Sequence, residues 1–214
     1  MKKLLIAKNT ITLFAYLFVV WGFYRMLFQV PDPFDEGLLK PLIWLVPVYF
    51  LLKREKRGWD SLGITEKSLF SSIYFALFLG TAFAIEGVFI NFAKYRGFNF
   101  STAVDNGMFM SAFIISIITA VTEELVFRGY LFNRVWEISN KEIQSNLLVS
   151  AGWALIHLPV AIFDWRLPMG PALTYIFLVF IFGCGASFIY AKTRNIVAPI
   201  ILHVLWAWPI LLFR

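Results

Sequence analysis

The stretch "MFMSAFIISIITAVTEELVFRGY", residues 108–130, joins a long apolar segment directly to a cluster of charges. Its first part carries no charged side chain, and Glu123, Glu124 and Arg128 follow at once. No Gly or Pro interrupts the chain from Ser111 to Arg128, so we expect one helix to continue through the charges. Ionisable groups inside a bilayer are costly, and each one in such a segment raises a functional hypothesis.

The composition is typical of a membrane protein. Of the 214 residues, 60% are hydrophobic and 15% are charged, and the mean hydropathy is +0.75, which leaves too little polar material to cover a soluble domain. The sequence predicts an all-α, polytopic transmembrane helical bundle that forms a single integral membrane domain, 1–214. Its net charge of +6 does not indicate nucleic acid, because the basic residues cluster at segment ends. We therefore expect membrane lipid as a partner and no nucleic acid.

About seven apolar segments are long enough, or nearly long enough, to cross a hydrocarbon core of roughly 30 Å, and six to eight spans fit their lengths. The second segment is the least secure, because it is short and carries Pro41 and Pro47. Lys and Arg fall mainly on the side that holds the N-terminus, which predicts a cytoplasmic N-terminus in a multi-pass protein of the cell membrane. With seven spans and a cytoplasmic N-terminus, Lys40 is predicted to lie on the outer side. The predicted spans are 9–30, 38–52, 69–93, 107–122, 146–163, 170–191 and 196–213.

Few other ionisable groups lie within these spans. Arg25 is close to a span end and is interpreted as a structural residue that snorkels to the interface. Glu86 lies in mid-span, and a packing role and a cavity-lining role both remain open for it. The chain has two histidines, His157 and His203, on the fifth and seventh spans. With a rise of about 1.5 Å per residue, both histidines and Glu123 fall in the cytoplasmic half or near the midplane, which predicts one shared polar cavity open to the cytoplasm.

The two adjacent carboxylates differ in their helical position. Glu124 and Arg128 have the i, i+4 spacing that favours an ion pair. Glu123 is rotated from Glu124 by about 100° and faces elsewhere. Spacing alone leaves two interpretations open. In the first, the cluster is a solvated ion pair at a helix end. In the second, Glu124 and Arg128 are scaffold and Glu123 is a general base.

The motif Glu-Glu-x-x-x-Arg, formed by Glu123, Glu124 and Arg128, resembles the first motif of the CAAX-protease and bacteriocin-processing family of intramembrane endopeptidases, also called the Abi family. The second family motif is matched by "WALIH", which ends at His157, and the third by "TRNIVAPIILH", which ends at His203. The resemblance is strong over 107–214, the predicted catalytic core. It is weak over the predicted variable N-terminal spans, 1–106.

The resemblance implies peptide-bond hydrolysis in or beside the membrane. Glu123 would activate the attacking water, His157 would help to position that water, and His203 would donate to the oxyanion, with Glu124 and Arg128 in support. One position departs from the family pattern, because its asparagine falls at Ala207. Either an indole N–H of Trp206 or Trp208 or a backbone donor replaces that amide, or activity is weak or lost.

Several alternatives remain open at this level. No cofactor is favoured, but Glu123, His157 and His203 together form a legitimate zinc-ligand set, although the local His-Glu-x-x-His signature is absent. An alternative of another class is a non-catalytic bacteriocin-immunity or scaffold membrane protein, which Ala207 supports. A proton-coupled transporter would also place carboxylates and histidines in the membrane. An enzyme would act on a membrane-associated protein or peptide, whose identity and prenylation the sequence leaves open.

Overall fold

The computed structural model describes residues 2–28, 30–97 and 109–212. In this part of the chain there are helices and no strands, which confirms the all-α bundle. Two short helical turns, Asp32–Phe34 and Asp35–Leu39, precede the second long helix, and a 3₁₀ turn, Trp59–Leu62, follows it. The seven long helices are α1 (Lys2–Leu27), α2 (Lys40–Glu55), α3 (Leu69–Tyr95), α4 (Met110–Ser139), α5 (Glu142–Asp164), α6 (Met169–Thr193) and α7 (Val197–Leu212).

Five of these helices, α1, α3, α4, α5 and α6, are long and apolar enough to cross a membrane. Helix α7 contributes a shorter apolar helix, Val197–Ala207, and α2 has 16 residues, with Pro47 inside it. The predicted spans 38–52 and 196–213 are therefore helical but shorter than a full span, so the prediction of about seven spans is roughly right. Residues 29, 107, 108 and 213 of the predicted spans lie outside the described residues.

Helix α4 occupies the centre of the bundle. It packs against α1, α2, α5, α6 and α7, and every residue from 122 to 132 is buried. The expected continuation of the helix through the charged cluster is confirmed, since α4 ends only at Ser139. Directly after Glu124 the helix widens into a π-helical segment, Leu125–Phe132, a geometry that is rare and often marks functional sites. The cluster is interior, which excludes a solvated ion pair at a helix end.

Aromatic rings from four helices form the apolar packing around α4. Phe127 of α4 lies 5.6 Å from the ring of Trp44 and 6.4 Å from that of Trp153, and Trp153 in turn lies 5.3 Å from Phe182. All four side chains are fully buried or nearly so. Offset and edge-to-face ring pairs of this kind add about 0.5–1.5 kcal/mol each to their area burial. They surround the charged groups with material of low polarity.

The turn "SLGI", residues 61–64, fastens the loop after α2 to the bundle. Leu62 is fully buried against Gly129 of α4, where an added Cβ would lie only 3.0 Å from the Leu62 side chain. Gly63 has a φ of +84°, a conformation that glycine adopts without strain. Its carbonyl accepts a hydrogen bond of 2.9 Å from the amide of Ile196, one residue before α7. The turn thereby fixes the start of the helix that carries His203.

Candidate active site

Both carboxylate oxygens of Glu123 accept hydrogen bonds inside the bundle. Lys40 Nζ, from the start of α2, donates to Oε1 at 2.5 Å, and the indole Nε1 of Trp153, on α5, donates to Oε2 at 2.7 Å. His157 Nε2 lies 3.9 Å from the same Oε2. Glu123 is only 2% exposed, so its charge is balanced by protein groups and not by bulk water.

Glu124 forms a second, adjacent centre. Its Oε1 is shared by His203 Nδ1, at 2.7 Å, and by an Arg128 amino group, at 3.1 Å. The other amino group of Arg128 donates to the carbonyl of Gly183 on α6, at 3.1 Å, and the guanidinium carbon lies 4.7 Å from the centre of the Trp153 ring. Glu124 Oε2 and Arg128 Nε are buried with no hydrogen-bond partner in the described part of the chain. This centre therefore keeps one acceptor oxygen and one donor nitrogen that form no hydrogen bond among the described residues.

The two histidines approach from different helices and serve different carboxylates. His157 follows directly after the regular part of α5, and its Nδ1 contacts the Trp153 carbonyl at 2.8 Å, which turns Nε2 towards Glu123. His203 is held by Glu124, and its ring centre lies 5.8 Å from that of Trp153. The residues singled out in the sequence therefore converge from α4, α5 and α7, with Trp153 between the two histidines.

The surroundings of Ala207 bear on what can replace an amide side chain there, and the indole N–H of Trp206 is one candidate. The Trp206 ring stacks on Phe182, with centroids 4.4 Å apart, and its indole makes no hydrogen bond within the described residues. The methyl group of Ala207 can neither donate nor accept. The side chain of Trp208 lies outside the described residues.

Lys40 is the cation in contact with Glu123 that sequence reasoning missed. It was assigned to the outer side as one cation of the topology signal, yet it is only 4% exposed and contacts Glu123 directly. It also donates to Glu36 Oε2 at 2.7 Å, and Thr119 Oγ1 donates to the same oxygen at 2.9 Å. The i, i+4 spacing of Glu36 and Lys40 was a weak local signal for this pairing.

The polar contacts of Glu123 lead towards the start of α2. Lys40 and the partly exposed Glu36 lie there, whereas Glu55, at the other end of α2 and about 22 Å away along the helix, pairs with Arg134 near the end of α4. The charge bias of the sequence predicts the start of α2 on the outer side and its end on the cytoplasmic side. The polar groups connected to Glu123 thus run towards the predicted outer side, whereas the polar cavity open to the cytoplasm stays a prediction.

Two other intramembrane charges have different surroundings. Arg25 does not snorkel to the interface, because it is buried and pairs with Asp35 and Asp164, and Asp35 also accepts a hydrogen bond of 2.8 Å from Tyr24. Glu86 is partly buried on α3 and has no hydrogen-bond or ion-pair partner among the described residues. Among the described residues, no hydrogen bond or ion pair joins it to the site on α4.

The residues of the zinc alternative do not fit a metal ion in this arrangement. In the ranges that the structure describes, no group of three or more His, Cys, Asp or Glu side chains is suitably placed to hold one. Glu123 uses both oxygens for Lys40 and Trp153, and His203 presents Nδ1 to Glu124. No step of the mechanism is accordingly derived through zinc.

The fold and the site together define a polytopic helical membrane protein with a buried pair of glutamates flanked by two histidines. Residues 105–209 match the family model described as type II CAAX prenyl endopeptidase Rce1-like. This region, just under half of the chain, belongs to that family, within the CAAX-protease and bacteriocin-processing group.

A curated relative is similar over part of the same length. The UPF0177 protein YxdF of Lactococcus lactis subsp. lactis is 34% identical over 91 residues, which make up 42% of this chain and 42% of the relative. The match thus spans less than half the length of either protein.

Proposed function

We propose that this chain is an intramembrane endopeptidase of the cell membrane that hydrolyses a peptide bond in a membrane-associated protein or peptide. The observation that carries the proposal is the gap of 3.9 Å between His157 Nε2 and Glu123 Oε2. It is too long for a direct hydrogen bond, and a single water molecule at normal distances reaches both atoms. A carboxylate and an imidazole on one water molecule are the groups that general-base hydrolysis needs.

The proposed reaction begins with the water held between Glu123 and His157. Glu123 takes one proton as the water oxygen attacks the carbonyl carbon of the scissile bond. The proton then passes to the amide nitrogen as the C–N bond breaks and the new amine leaves. His203 is oriented by Glu124, which accepts from Nδ1–H, and as the imidazolium it donates Nε2–H to the substrate carbonyl oxygen, where negative charge develops. Arg128 holds Glu124 in place.

We further propose that this chemistry needs no metal ion, since the donor atoms of the zinc alternative are engaged with other partners. Cleavage by the purified protein is expected to persist in EDTA or phenanthroline. Loss of cleavage with a chelator, followed by its return with added zinc, would overturn this part of the proposal.

The test of the function is comparative membrane proteomics of wild type and Glu123→Gln. An uncut precursor is expected to accumulate in the variant, because a glutamine cannot accept the proton from water. Glu86→Gln is the matched control, since it removes another intramembrane carboxylate that has no hydrogen bond or ion pair with the site among the described residues, and it should process the precursor normally. Both variants must be present in membranes at the wild-type level. A non-catalytic scaffold would show the same proteome in all three strains.

A further inference from the structure

Lys40 lies between two carboxylates in the interior of the bundle. Its ammonium donates to Glu123 at 2.5 Å and to Glu36 at 2.7 Å, and the side chain is only 6% exposed. Its apolar stem is flanked by aromatic rings, with Nζ 5.2 Å from the centre of the Trp44 ring and 5.5 Å from that of Trp21. An ammonium at the face of an aromatic ring is attracted by it, so these rings help to hold the lysine at the site.

A buried carboxylate stays ionised only where nearby groups replace the hydration that it loses. Among the described residues, Lys40 is the one Lys or Arg side chain that contacts Glu123, while Arg128 is bound to Glu124. Trp153 donates a neutral hydrogen bond, which supports a carboxylate less strongly than a charged donor does. The titratable groups around Glu123 on the packed helices are Lys40 and Glu36 at the start of α2, Glu124 and Arg128 on α4, His157 on α5, Cys184 beside Arg128 on α6, and His203 on α7.

We propose that Lys40 is a positioning residue of this active site, which keeps Glu123 ionised and directed at the attacking water, and that Glu36 and Thr119 hold Lys40 in place. The inference rests on the proposed function for its catalytic meaning. It extends the site beyond residues 105–209, the range of the family match, into the short turn and the helix that precede it.

Removal of the lysine charge has a defined chemical consequence. Without Lys40, Glu123 remains buried against apolar rings with a single neutral donor, and the protonated carboxyl becomes the more stable form at neutral pH. A protonated carboxyl cannot accept a proton from water, so cleavage stops although Glu123 is still present. Cleavage returns as the pH rises, because Glu123 then ionises.

The test that needs no substrate is infrared spectroscopy of the purified protein at neutral pH. Lys40→Met is expected to show a carboxylic-acid carbonyl band that the wild-type protein lacks. The double variant Lys40→Met/Glu123→Gln should lose this band, and Lys40→Met/Glu36→Gln should keep it, which assigns the proton to Glu123. Lys40→Arg preserves the charge and should show no such band. Lys53→Met, at the exposed end of the same helix, is the matched control and should resemble wild type.

The second readout is cleavage as a function of pH. Lys40→Met is expected to lose at least about tenfold in activity at neutral pH and to regain it as the pH rises, while Lys40→Arg restores part of the activity at neutral pH. If Lys40→Met does not accumulate, Lys40→Gln serves both measurements, because its amide can still bond to both carboxylates without charge.

The absence of the new band in both neutral variants would overturn the inference, and so would a band that persists without Glu123. Neither result touches the proposed function, which fails only if Glu123→Gln still cuts its precursor.

Discussion

Helices α2 and α4 bury a carboxylate–cation pair near each end of α2, and the two pairs are built differently. The site cluster comprises Glu36, Lys40, Glu123, Glu124, Arg128, Trp153, His157 and His203. The scaffold cluster, near the other end, comprises Asn9, Glu55, Ser61, Tyr130 and Arg134. The central ion pair of each cluster, Lys40–Glu123 and Arg134–Glu55, is almost completely shielded from solvent, so the burial of these pairs does not distinguish the clusters.

The scaffold cluster satisfies its charged groups. Glu55 accepts from Asn9 at 3.2 Å, from Tyr130 at 2.5 Å and from Arg134 at 2.8 Å. Arg134 uses its remaining nitrogens on the backbone and hydroxyl oxygens of Ser61. Asn9 Oδ1 is the one buried atom of this cluster without a partner in the described part of the chain.

The site cluster, in contrast, leaves atoms of its charged groups unused. Glu124 Oε2 and Arg128 Nε have no partner among the described residues, and one lysine is shared by two carboxylates. Two histidines line it, and the scaffold cluster has none. A fully bonded ion pair is suited to hold helices together, whereas unused polar atoms beside an imidazole are suited to meet a substrate. The two clusters therefore differ in how fully their charged groups are hydrogen-bonded, and this difference, not burial, distinguishes the scaffold cluster from the site cluster.

The largest effect is expected from Glu123→Gln, which should lower cleavage by about 10²–10⁴-fold, the usual contribution of a general base. The melting temperature of the variant in detergent should fall only slightly, because the amide oxygen of glutamine still accepts from one of the two donors, Lys40 or Trp153, and Lys40 keeps Glu36 as its counter-charge. The paired measurement is precursor cleavage and thermal unfolding of the same preparation. A large fall in melting temperature would break the comparison, since Glu123 would then hold the fold as Glu55 does.

The reverse pattern is expected for Arg134→Met. Glu55 would be left in the interior without its cation, and the loss of one partner of a buried ion pair destabilises by about 3–5 kcal/mol. Thermal unfolding in detergent measures this, and the folded fraction should retain cleavage. Arg57→Met is the control, since the Arg57–Glu137 pair is partly exposed, with side chains 21% and 35% accessible, and such pairs contribute about 0–1 kcal/mol. Equal melting temperatures for the two variants would show that Arg134 does not stabilise the scaffold cluster.

The sequence predicted the part of the site that is local along the chain. Glu123, Glu124 and Arg128 stand out because charges are rare in an apolar stretch, and the spacing of four residues is readable as a pair. The two histidines stand out for the same reason. The bundle itself follows from composition, since so apolar a chain has few other folds.

The sequence could not predict the contacts between residues that are distant along the chain. Lys40 meets Glu123 across 83 residues, and Arg25 meets Asp164 across 139 residues. Neither pairing has a periodicity or a motif, and cations near span ends are otherwise a topology signal. Their burial depends on how the helices pack around α4, which is a property of the folded bundle and not of any one segment.

A smaller effect is expected from the histidines, and it sharpens the contrast between the clusters. His203→Gln should lower cleavage by about 10²–10³-fold, the usual loss when one oxyanion donor is removed. His157→Gln should cause a smaller loss, because Glu123 still holds the water. Cleavage rates of both variants, measured in the same membranes, show which substitution causes the larger loss. If neither variant slows cleavage, the histidines are packing residues, and the site cluster becomes a second scaffold.

The smallest effects are expected next to Ala207. An amide introduced by Ala207→Asn lies one turn beyond His203 on α7 and can add one donor for the oxyanion, worth about two- to tenfold in cleavage for a single net hydrogen bond. Trp206→Phe keeps the stacking on Phe182 and removes only the indole N–H, so its cleavage should stay near wild type. The opposite result, a loss with Trp206→Phe and no gain with Ala207→Asn, would assign the donor to Trp206. The bonding of the site cluster would then be more complete than its contacts among the described residues indicate.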